Sequence, residues 1–145
     1  MKLNLGCGAD IREGYINIDN IVRPGISTFQ WDLNITPYPW VAGSAEEILA
    51  IDILEHLDNP VAFVTECWRL LEPGGLLFIQ TPRYDADFLW DDPTHKRGYT
   101  EKTMDFFDPD KPYGNVPYLY SNAQYHVECV ILPNKNLQFT MRAIK

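Results

Sequence analysis

Apolar positions in the first half of the chain come in short runs, each closed by glycine or a polar residue. Leu3-Asn4-Leu5 runs into Gly6-Cys7-Gly8, Tyr15-Ile16-Asn17-Ile18 into Asp19-Asn20, and Thr28-Phe29-Gln30-Trp31 into Asp32. Ile48-Leu49-Ala50-Ile51 ends at Asp52, and Leu76-Leu77-Phe78-Ile79 at Gln80-Thr81-Pro82. Runs of this length bounded by turn residues predict five strands, and their polar C-terminal ends place a ligand edge there in a parallel sheet. One helix is predicted between the last two strands. Asn59 caps it, Pro60 suits its first position, and Val61, Val64, Cys67, Trp68 and Leu71 recur at helical spacing. Glu72-Pro73-Gly74-Gly75 stops it and turns the chain into the next strand. A second helix is predicted to start at the Thr100 cap and run through Glu101 to Phe107. Residues 123–132 and 137–144, around Pro133-Asn134-Lys135-Asn136, read as an antiparallel hairpin.

The connections are short. Only residues 9–14 separate the first two strands, whereas a crossover helix needs about 10 or more residues. The next link, residues 21–27, carries Pro24-Gly25. The first two strands alternate polar with apolar positions, the pattern of a sheet buried on one face. The fourth and fifth runs are apolar throughout, which predicts cover on both faces. The expected fold is therefore α/β, five parallel strands plus a C-terminal antiparallel hairpin, with the helices around strands one and two reduced or absent. The bare surface is either solvated or a contact between copies of the chain in a homo-oligomer.

Composition narrows the function classes. The 145 residues suit one domain spanning 1–145, with 46% hydrophobic and 22% charged side chains. Twelve basic against 20 acidic residues give a net charge of −8, which disfavours nucleic acid and anionic membranes as partners. No run of about 18 apolar residues predicts a membrane span, and the N-terminus reads straight into a strand. Cys7, Cys67 and Cys129 form no paired motif, so neither a zinc knuckle nor a disulfide framework is indicated and a reducing cytoplasm is the expected location. The single Asn34-Ile35-Thr36 sequon reads as chance.

Gly6-Cys7-Gly8 after a strand suits the close approach of a nucleotide cofactor. The dinucleotide fingerprint fails, because its third glycine falls on Ile11 and no long helix follows. The ordered set is more specific: Leu3-Asn4-Leu5-Gly6-Cys7-Gly8, Asp19, Asp32-Leu33, Asp52-Ile53-Leu54-Glu55-His56-Leu57, and Arg69-Leu70-Leu71-Glu72-Pro73-Gly74-Gly75 before a strand. Over roughly residues 2–107 this resembles the class I S-adenosylmethionine-dependent methyltransferases, in particular the small methyltransferase-domain group with a Leu-Glu-His-Leu segment and an Arg-Leu-Leu-x-Pro-Gly-Gly turn. The resemblance implies a Rossmann-like fold whose sixth and seventh strands are the hairpin, and S-adenosylmethionine as cofactor. It implies that Gly6, Cys7 and Gly8 border the methionine and ribose, that Asp19 accepts from the ribose hydroxyls, that Asp32 and Leu33 flank adenine, and that Asp52 and Ile53 lie under the methionine arm. Family members usually carry a helix after the first glycine turn; six residues replace it here.

Methyl transfer from a sulfonium depends mainly on positioning, and an oxygen acceptor gains from a base. His56 and His95 are the catalytic candidates because histidine titrates near neutrality; His126, mid-strand in the hairpin, reads as structural. Asp52, Glu55 and His56, at i, i+3 and i+4, with His95 from the loop after strand five, are similar to the metal ligands of small-RNA 2′-O-methyltransferases and ubiquinone-pathway O-methyltransferases, which implies a site for magnesium or manganese. Residues 83–99 and 109–122 are the expected substrate rim, rich in Tyr84, Phe88, Trp90, Tyr99, Tyr113, Tyr118 and Tyr120. Flat aromatic surfaces suit rings or sugar faces, and Asp91-Asp92-Pro93-Thr94-His95-Lys96-Arg97 resembles a segment of relatives that accompany glycan-processing enzymes. The expected activity is methylation of an oxygen on a small-molecule or sugar-type acceptor. RNA 2′-O-methylation and a noncatalytic cofactor-binding or interaction module are the alternatives.

Overall fold

The computed structural model of the chain describes residues 1–22, 24, 28–114 and 121–145. Arg23, residues 25–27 of the second link, and residues 115–120, including Tyr118 and Tyr120 of the expected rim, lie outside the described residues. Seven strands form one sheet: β1 (Lys2–Leu5), β2 (Tyr15–Asp19), β3 (Phe29–Gln30), β4 (Ala45–Ile51), β5 (Leu71–Pro82), β6 (Gln124–Ile131) and β7 (Asn136–Ile144). Their order is β3-β2-β1-β4-β5-β7-β6, with β1 to β5 parallel and β7 antiparallel to both its neighbours. This is the Rossmann-like α/β sheet with a C-terminal antiparallel hairpin expected from the sequence. Among the described residues no helix is long and apolar enough to cross a membrane.

The only α-helix among the described residues, α1 (Pro60–Leu70), forms for the reasons legible in its sequence. The Asn59 side chain accepts from the Ala62 amide at 3.0 Å, Pro60 opens the first turn, and Phe63, Val64, Cys67 and Leu70 are buried against the sheet. The helix ends at Leu70, before the expected stop: Leu71 is already extended, and Pro73-Gly74-Gly75 fall within β5 as an irregularity. Ala45 pairs with Leu71, the register shifts, and regular pairing resumes at Glu47 with Leu76. Leu3, Leu5, Ile18, Ile48, Leu77, Ile79, Phe139 and Met141 form the sheet's side of the core.

The opposite face departs from the prediction in two ways. The polar positions of β1 and β2 are not solvated: Asn4 and Asn17 are buried under residues 9–14. The Asn4 amide donates to the Asp10 carbonyl and to Asn17 Oδ1, and Asn17 Oδ1 also accepts from the Arg12 amide. Two asparagine side chains thus satisfy the peptide groups of a six-residue loop where a helix would satisfy its own. The second departure concerns β5, whose apolar run predicts cover on both sides. Leu77, Ile79 and Thr81 are buried, whereas Leu76, Phe78 and Gln80 are only half-buried, opposite Arg142, Thr140 and Gln138 of β7. No helix of the described residues follows β1 or β2 to roof that face.

The predicted second helix is a 3-10 turn over Thr103–Phe107. Thr100 does not cap an α-helix: its amide is taken by Thr103 Oγ1 and its carbonyl by the Thr103 amide. Met104 and Phe107, three apart, meet the core with one tight turn, and Asp108 then accepts from the Val127 and Asp110 amides and ends it. His126, read as structural, lies exposed on β6 with Nδ1 3.3 Å from Asp110 Oδ2.

Candidate cofactor edge and the acceptor-facing cluster

The C-terminal ends of β1, β2 and β4 lie side by side, so their turns converge on one edge. Gly6 and Gly8 take positive φ of 67° and 53°. At Gly6 the need for glycine is also steric, since a Cβ would lie 2.8 Å from Ile53 Cβ and 2.7 Å from its Cδ1. The turns after β1 and β4 are therefore in direct contact. Asp19, 8% exposed at the end of β2, joins the same knot: Oδ2 accepts from the Gly8 amide at 2.8 Å and Oδ1 from the Ile21 amide at 2.9 Å. Each oxygen keeps a further lone pair. Cys7 is buried, and its amide donates to the Ile18 carbonyl.

Asp32 is exposed just past β3, where its Oδ1 accepts from the Asn34 amide. Leu33 turns inward and is buried, with its carbonyl accepting from the Tyr38 hydroxyl at 2.8 Å. Tyr38 is in turn held by Glu66 of α1, which accepts from the Tyr38 amide, and by Arg69, which donates to the carbonyls of Tyr38 and Trp40. The arginine of the Arg-Leu-Leu segment thus braces the β3–β4 link rather than a ligand.

Asp52 adopts φ 50°, a left-handed conformation sparsely used by non-glycine residues. Its amide donates to the Gln80 carbonyl, and Gln80 Nε2 lies 3.3 and 3.4 Å from the two carboxylate oxygens. Gln138 donates to Gln80 Oε1 at 3.1 Å, which fixes that amide with its NH2 toward Asp52. The sharp reversal at Asp52 breaks the helical register assumed for the i, i+3, i+4 set. Only Leu54–His56 forms a turn, of 3-10 type, and Asp52 lies outside it.

Glu55, His56 and His95 do come together, with one ligand atom from each lying within 4.8 Å of the others. The imidazole rings meet edge to face with centroids 4.6 Å apart. Asp52 is not in this group. Glu55 is 1% exposed; Oε2 accepts from the Thr81 hydroxyl at 3.0 Å, and Oε1 is buried without a hydrogen-bond partner, 3.9 Å from His95 Nε2. The hydrogen bonds orient both rings. The Asp92 carboxylate, held below the ordinary range by the Thr94 hydroxyl and amide, only accepts, so the Thr94 hydroxyl gives it its proton. Thr94 Oγ1 then accepts from His56 Nδ1–H. His95 Nδ1 faces the Leu89 carbonyl and must donate to it. The neutral His56 therefore keeps Nε2 as a lone pair, while His95 Nε2 lies 3.9 Å from Glu55 Oε1 and 3.8 Å from Asp92 Oδ2. Oriented imidazoles beside a buried carboxylate are a cation-binding arrangement.

Burial pushes the Glu55 carboxyl above the ordinary range, against the opposing pull of its hydrogen bonds and His95. Burial, then the neighbouring His95, lowers His56, which is neutral at physiological pH. A carboxyl with a raised folded-state pKa favours the fold below its unfolded value near 4.5, and that contribution is lost as pH rises through the folded value. Glu55→Gln removes this loss. In chelator-containing buffer its melting temperature relative to the wild type is expected to rise between about pH 5 and about pH 8; parallel melting curves across that range would refute the burial effect.

Sequence reading missed Thr81, Thr94, Gln80 and Tyr99 as supporting groups. Thr81 had a visible signal, as the polar residue closing an apolar strand, and Thr94 lay inside the noted Asp-Pro-Thr-His segment. Tyr99, whose hydroxyl donates to the Leu54 carbonyl, had none. Of the aromatic rim, Tyr84, Phe88, Trp90 and Tyr113 are exposed, while Tyr99 is buried.

Comparison with known proteins agrees with this fold. The family profile of a methyltransferase domain matches residues 7–79, half of the chain. A Mycolicibacterium smegmatis protein named "Probable S-adenosylmethionine-dependent methyltransferase" is 31% identical over 74 residues, which are 51% of this chain and 25% of that protein. The ubiquinone biosynthesis O-methyltransferase of Xanthomonas oryzae is 44% identical over 39 residues, 27% of this chain and 16% of that enzyme. The matches thus span a quarter or less of these relatives' length. Among solved structures, an S-adenosylmethionine-dependent methyltransferase from Archaeoglobus fulgidus superposes with a TM-score of 0.68 at 12% identity, covering 97% of this chain and 85% of that one. The chain belongs to the class I S-adenosylmethionine-dependent methyltransferases.

Proposed function

We propose that the chain transfers the methyl group of S-adenosylmethionine to a hydroxyl oxygen of a small acceptor, held at the cluster of Glu55, His56 and His95. The observation that carries this reading is the cluster itself: one carboxylate and two imidazoles within 4.8 Å, with a buried carboxylate oxygen that has no hydrogen-bond partner, beside the predicted cofactor edge. The likeness to a ubiquinone biosynthesis O-methyltransferase over 39 residues supports an oxygen acceptor.

The cofactor lies along the β1, β2 and β4 edge. Gly6, Cys7 and Gly8 leave room for the methionine and ribose, and Asp19 offers its two remaining lone pairs to the ribose hydroxyls. Asp32, exposed after β3, faces the adenine amino group, whereas Leu33 supports that contact from within the core. Asp52 and Ile53 lie under the methionine arm, with Gln80 and Gln138 holding the Asp52 carboxylate in its left-handed position.

The cluster suits a divalent ion. Two imidazoles with one carboxylate favour manganese over magnesium, whose preferred ligands are all oxygen. A bound ion supplies Lewis-acid polarisation that lowers the acceptor hydroxyl's pKa. With no ion bound, His56, neutral and oriented by Thr94, would instead offer that lone pair to the acceptor proton, and His95 is oriented by the Leu89 carbonyl.

The test is methyl transfer from labelled cofactor to a panel of hydroxyl compounds, with and without EDTA. Expected are a loss of turnover of at least about tenfold on chelation, recovery with manganese, and a similar loss in His56→Ala. Full activity in chelator would remove the metal from the account, and methyl found on nitrogen would remove the hydroxyl acceptor. Turnover only with RNA would favour the 2′-O alternative, against which the −8 charge already counts.

A further inference from the structure

Between the start of α1 and the 3-10 turn at Thr103–Phe107 lies a cavity of about 680 Å³, within the range of small-molecule sites. Among the described residues its walls are mainly Val61, Tyr99, Met104, Phe106, Phe107 and Tyr113. Phe106 and Tyr113 stand nearly parallel, with ring centroids 5.1 Å apart and an interplanar angle of 11°. We propose that this cavity holds the body of the acceptor, and that the acceptor is a hydroxylated aromatic compound with an apolar substituent rather than a sugar.

The polar groups of the walls decide between those two classes. Thr100 and Thr103 hydroxyls bond each other at 3.2 Å, and Thr103 Oγ1 also accepts from the Thr100 amide. The Ser121 hydroxyl is shared with Thr65 at 2.6 Å and accepts from the Ala123 amide. Tyr99 spends its proton on the Leu54 carbonyl. The exposed Lys102 and the Tyr113 hydroxyl are the polar groups left over, so a sugar entering here would leave most of its hydroxyls without partners, and each costs part of its hydration. A planar apolar ring loses nothing of that kind and adds a face to the aromatic and thioether walls.

The cavity also adjoins the proposed chemistry. Tyr99 is both a cavity wall and the ligand of the Leu54 carbonyl, one residue before Glu55. Pro60 and Val61, on the opposite wall, follow His56 by four and five residues. In the proposed pose the ring hydroxyl points to this side, where Tyr99 meets the turn that carries Glu55 and His56. This assignment of the acceptor rests on the methyl-transfer reading; the existence of an apolar binding site does not.

Calorimetric titration without cofactor tests the cavity by itself, using phenol, 4-ethylphenol, 4-butylphenol and methyl α-glucoside. Affinity is expected to rise about fifteenfold for each two methylenes buried, with no binding of the glucoside. Val61→Trp fills the cavity and is expected to abolish the dependence on chain length while S-adenosylhomocysteine still binds. Tyr113→Ala, at the exposed mouth, is expected to weaken 4-butylphenol about tenfold. Equal affinity along the phenol series, tighter binding of the glucoside, or unchanged 4-butylphenol binding in both variants would overturn the proposal. Loss of S-adenosylhomocysteine binding in the wild type, with the phenol series intact, would instead count against the methyl-transfer reading.

Discussion

Replacing Gly6 with alanine is expected to lower the melting temperature by about 10 °C and to weaken cofactor binding together with it. Two costs combine. The backbone at Gly6 has φ 67°, where an L side chain costs about 1–2 kcal/mol. The added Cβ would also meet Ile53 Cβ at 2.8 Å and Cδ1 at 2.7 Å, and overpacking of that kind costs about 1–3 kcal/mol. Ile53 has little room to yield, because it precedes the Leu54–His56 turn and packs against the core. The same displacement would therefore shift the turn carrying Glu55 and His56. A companion variant, Ile53→Ala, separates the two costs. In the double variant only the backbone part should remain, with roughly half of the melting-temperature loss recovered relative to Gly6→Ala in the Ile53→Ala background. Thermal melts of the four proteins would show it, and strict additivity would mean that the two residues do not touch.

Asp19→Ala is expected to reduce S-adenosylmethionine affinity by about hundredfold or more. Hydrogen bonds from two ribose hydroxyls to a carboxylate are charge-assisted, about 1.5–3 kcal/mol each. The substitution also frees the Gly8 and Ile21 amides, which now converge on the carboxylate at 2.8 and 2.9 Å. Asp19→Asn isolates the ribose contribution, because one amide oxygen can still accept from Gly8 while the second acceptor is lost. An intermediate loss, about tenfold, is expected there. Wild-type affinity in both variants, read by calorimetry, would remove the ribose assignment.

Much of this architecture was readable because β-structure announces itself locally. Each strand up to β5 ends in glycine or a polar residue, so the ligand edge could be drawn before the sheet was known. Asn59 and Pro60 fixed the start of α1, and the Pro133-Asn134-Lys135-Asn136 segment fixed the hairpin, with Lys135 taking the positive φ of its turn. What stayed hidden depends on long-range partners. A threonine followed by an acidic residue looks like a helix start at Thr100, yet Met104 and Phe107 are satisfied by a single turn once Asp108 ties the chain to Val127 of β6. Asp52 looks helical by spacing, but its left-handed backbone hands its amide to Gln80 on the neighbouring strand. Nor does alternation say what covers a polar face. Asn4 and Asn17 read as part of a bare face, solvated or against another copy, until the loop of residues 9–14 folds over them. The site follows the same division: Glu55, His56 and His95 were legible as chemistry, whereas the orientation of the two rings depends on Thr94 and Leu89.

The six-residue loop that stands between β1 and β2 in place of a helix makes cofactor binding the point on which everything else depends. Titration of S-adenosylhomocysteine into the wild-type chain, followed by calorimetry, tests it most directly. The β1, β2 and β4 edge predicts saturable binding at one site per chain with micromolar affinity, lost in Asp19→Ala. No heat of binding at millimolar ligand would contradict the account.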